Sequence, residues 1–326
     1  MPKSIIINKH GGPEVLEIID TNVGTPGPRD IKIKNYAIGL NFIDTYHRSG
    51  LYPLKLPSGI GMEGAGVVVE VGADVKNLSI GDNIAYASPP LGSYSEERII
   101  PEDIAVKIPE GVSHKVAASI MTKGLTVYYL LFKTYKASAG ETILFHAAAG
   151  GVGQIFCQWA KSIGCRVIGT VGSDSKIDIA KKNGCDFVIN YNTESFDKKV
   201  LEITNNKGIK VVYDGVGKDT FEKSINCLKP RGMMVSFGNS SGPLSPIDVK
   251  KYIAAKSLYF TRPGLTNYIS ERSELVEASS SLFEKIKFGN VKIEIFKEYA
   301  LSEAIKAHED LEARKILGSA LLIPNE

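Results

Sequence analysis

The stretch from Thr142 to Lys161, TILFHAAAGGVGQIFCQWAK, constrains the fold more than any other, because an apolar run enters a glycine turn and leaves it with helical period. Gly150, Gly151 and Gly153 supply the turn, and Ala148 stands where the G-x-G-x-x-G fingerprint of dinucleotide-binding folds carries its first glycine. Alanine still permits a tight turn. Gly150 lets the backbone approach a pyrophosphate, Gly153 lets the helix pack closely on its strand, and unpaired N–H groups at the helix start hold phosphates. After Val152 the apolar Ile155, Phe156, Trp159, Ala160 and Ile163 fall three, four, seven, eight and eleven residues on, the pattern of a helix with one face on a sheet. A glycine cluster alone is also what an ordinary turn contains. Strand, turn and helix in succession make it a nucleotide site.

The surrounding chain extends the pattern. Apolar strands near 142–147, 166–171, 187–190, 210–214, 233–237 and 257–261 alternate with helical stretches, which predicts an α/β fold with a doubly wound parallel sheet over 125–263. Residues 1–124 instead carry short strands and many glycines, among them Ile31–Asn35, Gly64–Val71 and Asn83–Ala87, with few helical periods. That half reads as a β-rich, barrel-like domain. The remainder, 264–326, offers a helix over Ser273–Lys287, a strand near Val291–Lys297, another helix and the closing run SALLIP. So short a mixed tail could hardly bury a core alone, so it is expected to rejoin the first domain.

Bulk properties remove whole classes of function. Of 326 residues 43% are hydrophobic and 23% charged, and 39 basic against 36 acidic residues give a net charge of only +3, so nucleic-acid binding is not demanded by charge. The four cysteines, Cys157, Cys165, Cys185 and Cys227, make no C-x-x-C pair and read as reduced, mostly buried thiols. The opening MPKSIIINKHGG is too short an apolar run for a signal peptide, and no apolar run is long enough to span a bilayer, so a cytoplasmic protein is expected.

Several segments together identify a family. HGGPEVL at 10–16, GLNFIDTYHRSGLYP at 39–53, GMEGAGVV at 61–68, KGLTVYYLL at 123–131, VVYDGVG at 211–217 and MVSFGNSSG at 234–242, with the glycine segment, resemble the zinc-independent quinone oxidoreductases of the medium-chain dehydrogenase/reductase superfamily, the zeta-crystallin-like group. Gly140, Glu141, Leu144, the AAGGVG block, Gln158 and Lys161 sit where its signature has them. The resemblance implies a GroES-like catalytic domain built from 1–124 and 264–326, a Rossmann domain over 125–263, and a cofactor cleft separating the two. It also implies that Ala149, Gly150, Gly151, Val152 and Gly153 contact the cofactor.

Zinc-dependent members of that superfamily use a cysteine, a G-H-E histidine and a further cysteine, and this chain keeps none of them. Asn41 stands in the first place, Met62 replaces the histidine and the region of Thr122 supplies no thiol. An amide, a thioether and a hydroxyl are a poor tetrahedral set for zinc, so no metal is expected. The five histidines, His10, His47, His114, His146 and His308, are dispersed, and His146 reads as a hydrogen-bonded core residue.

The nicotinamide cofactor is expected to be NADPH. NAD-specific sites place a carboxylate at the end of the second strand, whereas here the strand ends Thr170, Val171, Gly172, Ser173 and leaves room for a phosphate. Lys176 can pair with a 2′-phosphate, and the resemblance adds Tyr191 and Arg314. Asp174 keeps NADH open as the alternative.

Hydride transfer to a conjugated carbonyl puts negative charge on oxygen, which hydroxyl and amide donors must meet where no Lewis acid serves. The resemblance places Asn41, Tyr46 and Tyr52 near the substrate, with Asp44 in the same NFIDTY loop and able to tie it down. A tyrosine of ordinary pKa, ~10, stays protonated and donates at neutral pH. Thr126, Phe237 and Gly238 are expected against the nicotinamide, Gly238 letting the backbone come close to the ring. Each also has a plain packing reading, as a helix residue, a core aromatic or a turn glycine. The acceptor expected is a quinone. Reduction of an enone or alkenal double bond and a crystallin-like structural or RNA-binding role remain alternatives, and the number of electrons delivered per acceptor is open. The basic pairs Lys181-Lys182, Lys198-Lys199 and Lys250-Lys251 read as solvated helix faces rather than an RNA stripe. The family commonly dimerises through the edge strands of two nucleotide domains, here Leu258–Thr261, so a homodimer is expected.

Overall fold

The computed structural model describes residues 1–324. The chain packs as two compact units, one made of residues 1–125, 269–287 and 293 onward, the other of 126–268 with 288–292. Among the described residues no helix is long and apolar enough to cross a membrane.

The first unit opens with β1 (Lys3–Ile7), β2 (Glu17–Asp20), β3 (Asp30–Gly39), α1 (Phe42–Ser49), β4 (Ser58–Gly59), β5 (Glu63–Val71), β6 (Asn83–Ala87), β7 (Glu97–Pro101) and β8 (Ala105–Lys107), and then α2 (His114–Tyr129), within which the units divide. The second unit holds β9 (Thr142–Phe145), α3 (Gly151–Ser162), β10 (Arg166–Val171), α4 (Ile177–Lys182), β11 (Phe187–Asn190), α5 (Phe196–Ile203), β12 (Ile209–Asp214), α6 (Phe221–Cys227), β13 (Leu228–Ser236), α7 (Val249–Tyr252), β14 (Tyr259–Thr261) and α8 (Leu265–Tyr268). The chain then returns to the first unit with α9 (Arg272–Lys287), β15 (Ile295–Ala300), α10 (Ala304–Glu312) and β16 (Ser319–Ile323).

In the first unit a seven-stranded sheet runs β15-β16-β3-β5-β6-β8 with β7 on β3, beside a small sheet β2-β1-β4. Along the first part of β3 the period is two: Ile31, Ile33 and Asn35 are buried between more exposed neighbours, and the two isoleucines face Val68, Ile84 and Ile100. A second core of Ile5, Ile7, Ile38, Leu40, Tyr94, Tyr299, Leu301 and Leu322 joins residues from both ends of the chain, with Phe42 of α1 packed on it. The six-stranded sheet of the second unit is parallel throughout, in the order β11-β10-β9-β12-β13-β14. Its strand order reverses at β9, between β10 and β12, and ligands of open parallel sheets bind beyond the strand ends at such a switch.

Three features depart from the sequence reading. The NFIDTY segment is not a loop but the helix α1, and α2 adds a 16-residue helix to a stretch expected to have few helical periods. The strand expected from Val291 begins only at Ile295, because the Gln158 side chain takes up the Lys292 backbone, accepting from its N–H at 2.8 Å and donating to its carbonyl at 3.1 Å. A backbone satisfied by an amide side chain has no need of a strand neighbour.

Candidate active site

At the C-terminal end of β9, His146 is fully buried between Thr170 Oγ1 of β10 and Ser224 Oγ of α6, each at 2.8 Å. Ser224 spends its own proton on the Thr220 carbonyl, so His146 must donate to it through Nε2 and accept from Thr170 through Nδ1. Burial lowers its pKa, and the neutral ring serves as a cross-link between strand and helix. It is not placed as a base.

The turn that follows holds Ala147 in the left-handed region at φ 58°, one residue before the alanine in the fingerprint slot. Gly150 N–H closes the turn onto the Ala147 carbonyl at 2.9 Å. Gly150 then caps α3 without any side-chain hydrogen bond to the first turn, so N–H groups of that turn are left for an anion. A Cβ at Gly153 would run into the Ala147 carbonyl oxygen and lie 2.6 Å from that of Ala148; at Gly150 it would meet only the Ala147 oxygen, at 3.2 Å. Ala149 and Val152 complete this turn, and the Ala149 carbonyl is held by the Gln154 amide at 2.9 Å.

Beyond β10, the Asp174 carboxylate accepts from Asn190 Nδ2 at 2.7 Å, and Ser173 pairs with Ser175 at 2.9 Å. Tyr191 brings its hydroxyl against Gly172, whose added Cβ would lie 2.8 Å from it. Ser173, Lys176 and Tyr191 thus share one corner of the second unit, while Arg314 follows α10 in the first, itself at φ 58°. Phe237 lies tilted against Phe145, ring centres 5.6 Å apart, and an added Cβ at Gly238 would meet the Gly215 backbone, with Gly215 Cα 2.8 Å away. The demand for glycine at 238 therefore comes from the neighbouring loop. Asp214 organises that loop: its carboxylate accepts from Val216 N at 2.8 Å, Gly217 N at 3.0 Å and Thr220 Oγ1 at 2.8 Å. Thr126 is a buried residue of α2.

In the first unit, α1 begins at Asn41 and stops at Gly50, which takes the left-handed conformation at φ 80°. Asp44, three residues into the helix, reaches back to accept from the Asn41 backbone N–H at 2.9 Å, half of a capping box. The same oxygen accepts from Tyr94 Oη at 2.9 Å. Tyr94 lies 3.0 Å from His308 Nε2, and Arg48 lies 2.8 Å from His308 Nδ1. A guanidinium only donates, so Nδ1 accepts and Nε2–H points to the tyrosine oxygen. Arg48 itself also holds the Gly11 carbonyl at 3.1 Å and Glu312 at 2.7 Å. Burial and the Arg48 charge push His308 down to about 3, and burial pushes Asp44 up to about 7. Its other oxygen, Oδ1, is buried with no partner. Tyr46 and Tyr52, both half-buried, meet edge to face at 5.3 Å, and Tyr52 N–H donates to the Tyr46 carbonyl at 3.1 Å.

Two of the three positions that the sequence comparison set against zinc ligands, Asn41 and Thr122, meet here at Glu63. Asn41 Nδ2 donates to its Oε2 at 2.5 Å, Thr122 N–H to its Oε1 at 2.7 Å, and Met62 precedes it in β5's approach. With its amide committed to a carboxylate and a thioether beside it, this set does not fit zinc. Among the described residues no group of three or more His, Cys, Asp or Glu is arranged to hold a metal. Sequence reasoning missed Glu63, Tyr94, Arg48, His308 and Lys123. Of these only Glu63 had a local signal, its place between Met62 and Gly64 in GMEGAG, and the Asn41-x-x-Asp44 spacing could have announced the helix.

Comparison with known proteins accords with both units. The family model "Alcohol dehydrogenase GroES-like domain" matches residues 27–110 and "Zinc-binding dehydrogenase" matches 151–281. The quinone oxidoreductase of Pseudomonas aeruginosa is 49% identical over 325 residues, covering 99% of this chain and all of that protein. The crystal structure of Escherichia coli quinone oxidoreductase complexed with NADPH superposes with a TM-score of 0.97 at 50% identity, over 99% of this chain and 100% of that one. The 2-haloacrylate reductase of a Burkholderia species is 43% identical over 331 residues, 99% of each chain.

Proposed function

The chain belongs to the quinone oxidoreductases of the medium-chain dehydrogenase/reductase superfamily, and from that premise we propose that it delivers reducing equivalents from NADPH to a quinone. The observation that carries the chemistry is the donor set on and beside α1, the Tyr46 and Tyr52 hydroxyls and the Asn41 amide, at a place whose residues do not fit zinc. NADPH, when bound, supplies the hydride. The first-turn N–H groups of α3, with Ala149, Gly150, Gly151, Val152 and Gly153, hold its pyrophosphate. Ser173, Lys176 and Tyr191 take the 2′-phosphate, with Arg314 assigned there on the family resemblance. Asp174 accepts from Asn190 through Oδ1. Thr126, Phe237 and Gly238 receive the nicotinamide. Tyr46, then Tyr52, donates to the acceptor oxygen as charge grows on it, and Asp44 secures the start of the helix that carries Tyr46.

The test is anaerobic NADPH oxidation with ortho- and para-quinones. Turnover with quinones is expected, with Tyr46→Phe losing about 10²-fold in kcat, the usual worth of one such donor. Lys176→Ala is expected to raise KM for NADPH about tenfold and leave NADH unaffected, which corresponds to one charge-assisted contact. Equal losses with both cofactors would take Lys176 out of the phosphate site. A second reading is favoured by the 43% identity to 2-haloacrylate reductase: reduction of a carbon–carbon double bond activated by a carbonyl. Turnover of 2-haloacrylates or 2-alkenals without quinones would establish that instead. A cytoplasmic homodimer belongs to the same proposal. β14 is the outermost strand of its sheet and Tyr259 on it is 61% exposed, so its edge is open to a second copy. Light scattering at the mass of one 35.3 kDa chain would remove the dimer.

A further inference from the structure

We propose that Lys123 is a positioning residue for the reaction: its ammonium, clamped between the Leu40 carbonyl and Glu63, holds the Asn41 carboxamide in place. The inference rests on the assignment of Asn41 to the substrate site made above.

Lys123 is 6% exposed, and Glu63 is fully buried. Lys123 Nζ donates to the carbonyl of Leu40, the residue before Asn41, at 3.3 Å, and stands 3.8 Å from Glu63 Oε2. That same oxygen receives the Asn41 amide at 2.5 Å, while Oε1 receives Thr122 N–H at 2.7 Å. Lys123 therefore grips Asn41 twice, through the backbone on one side and through Glu63 on the other. Gly39 shows how tightly the carboxylate is seated: an added Cβ there would overlap Glu63 Oε2, with Cδ at 2.5 Å. Only glycine at the end of β3 admits the carboxylate to the start of α1.

A buried ion pair is a poor way to gain stability, since apolar side chains of the same volume commonly do as well. What it does confer is a fixed orientation on whatever it hydrogen-bonds. Here the hydrogen-bonded group is Asn41, the residue that caps α1, the helix of Asp44 and Tyr46. Asp44 is the nearby acid. It is tied by Asn41 N–H and Tyr94 rather than by Lys123, so the two carboxylates divide the two halves of Asn41, Asp44 the backbone and Glu63 the side chain.

The test is a double-mutant cycle in the full-length enzyme with NADPH and 1,4-benzoquinone. Lys123→Met is expected to leave NADPH affinity within about threefold of wild type and to lower kcat by about 10²-fold, the scale of a 1 Å misplacement. Asn41→Ala is expected to do the same, and Lys123→Met added to Asn41→Ala to cost little more, because both remove one unit of action. Losses that multiply, or a Lys123→Met enzyme at the wild-type rate while Asn41→Ala is impaired, overturn the inference alone. An Asn41→Ala enzyme at the wild-type rate removes the substrate-site assignment and the inference with it. If Lys123→Met does not fold, the pair Glu63→Gln with Lys123→Met leaves no lone buried charge, and wild-type kcat in that variant overturns the proposal equally.

Discussion

Gly153→Ala is expected to cost about 1–3 kcal/mol of stability and to weaken NADPH binding by about tenfold or more, whereas Gly150→Ala weakens binding with little loss of stability. The difference follows from what each new methyl group meets. At 153 it faces the Ala147 carbonyl oxygen and, 2.6 Å off, that of Ala148, two backbone atoms with no rotamer to yield. The first turn of α3 must then back away from β9, and the N–H groups meant for the pyrophosphate move with it. At 150 the methyl group meets one oxygen at 3.2 Å, a gap that a few tenths of an ångström relieves, but it stands at the cap of α3, where the pyrophosphate is proposed to bind. Thermal unfolding and NADPH fluorescence titration of both variants separate the two. Equal stability of the variants would mean that helix packing does not set the requirement at 153.

The second large effect is in the pH dependence of stability. Burial raises Asp44 to about 7 from an ordinary 3.8, so between those values the folded protein holds a proton that the unfolded chain has released. Folding stability from this group therefore falls as pH rises across that window, by up to about 4 kcal/mol once the carboxylate is ionised. Glu63, also raised by burial, pulls in the same direction. Asp44→Asn removes the titration while keeping an oxygen for the Asn41 N–H and Tyr94. The amide group then stands in the unpartnered position of Oδ1, a cost of about 1–3 kcal/mol that does not change with pH. The variant is expected to be the less stable protein at pH 4.5 and to overtake wild type by pH 8, in melts across that range. Parallel curves would mean that Asp44 titrates normally.

How far the sequence alone could lead is visible in single elements. The interior strand β10 and the edge strand β11 were legible to the residue, because each is a short, largely apolar and β-branched run, RVIGTV and FVIN, bounded by turn residues. The cofactor turn was legible because its glycines are demanded locally. The left-handed residue was not: it is Ala147, held there by surrounding structure against the preference of its own side chain. Helix α1 was missed for a related reason. Its eight residues are mostly polar or half-buried, and what makes them helical is Asn41 and Asp44 at one end and Arg48 engaged far away at the other. Tyr94, His308 and Arg48 had no signal at all, since a contact between residues 260 positions apart leaves no periodicity behind. For the proposed substrate site, sequence resemblance supplied the tyrosines and Asn41, packing alone supplied Lys123, and Glu63 had only its place in GMEGAG to announce it.

The discontinuity of the first unit has a consequence for how the protein is made. Arg48 waits for His308, and Ile38 and Gly39 wait for Leu322 and Leu321, so during synthesis the N-terminal half leaves the ribosome with its core open and one sheet edge unpaired. The sheet of residues 126–268, whose strands all lie within that one span, can close first. The donor-bearing helix is then locked late, because the histidine that braces it is made 260 residues after Arg48. A ribosome stalled before residue 308 would carry a nucleotide fold joined to an unfinished active site, and such a nascent chain would depend on chaperones for as long as it waits.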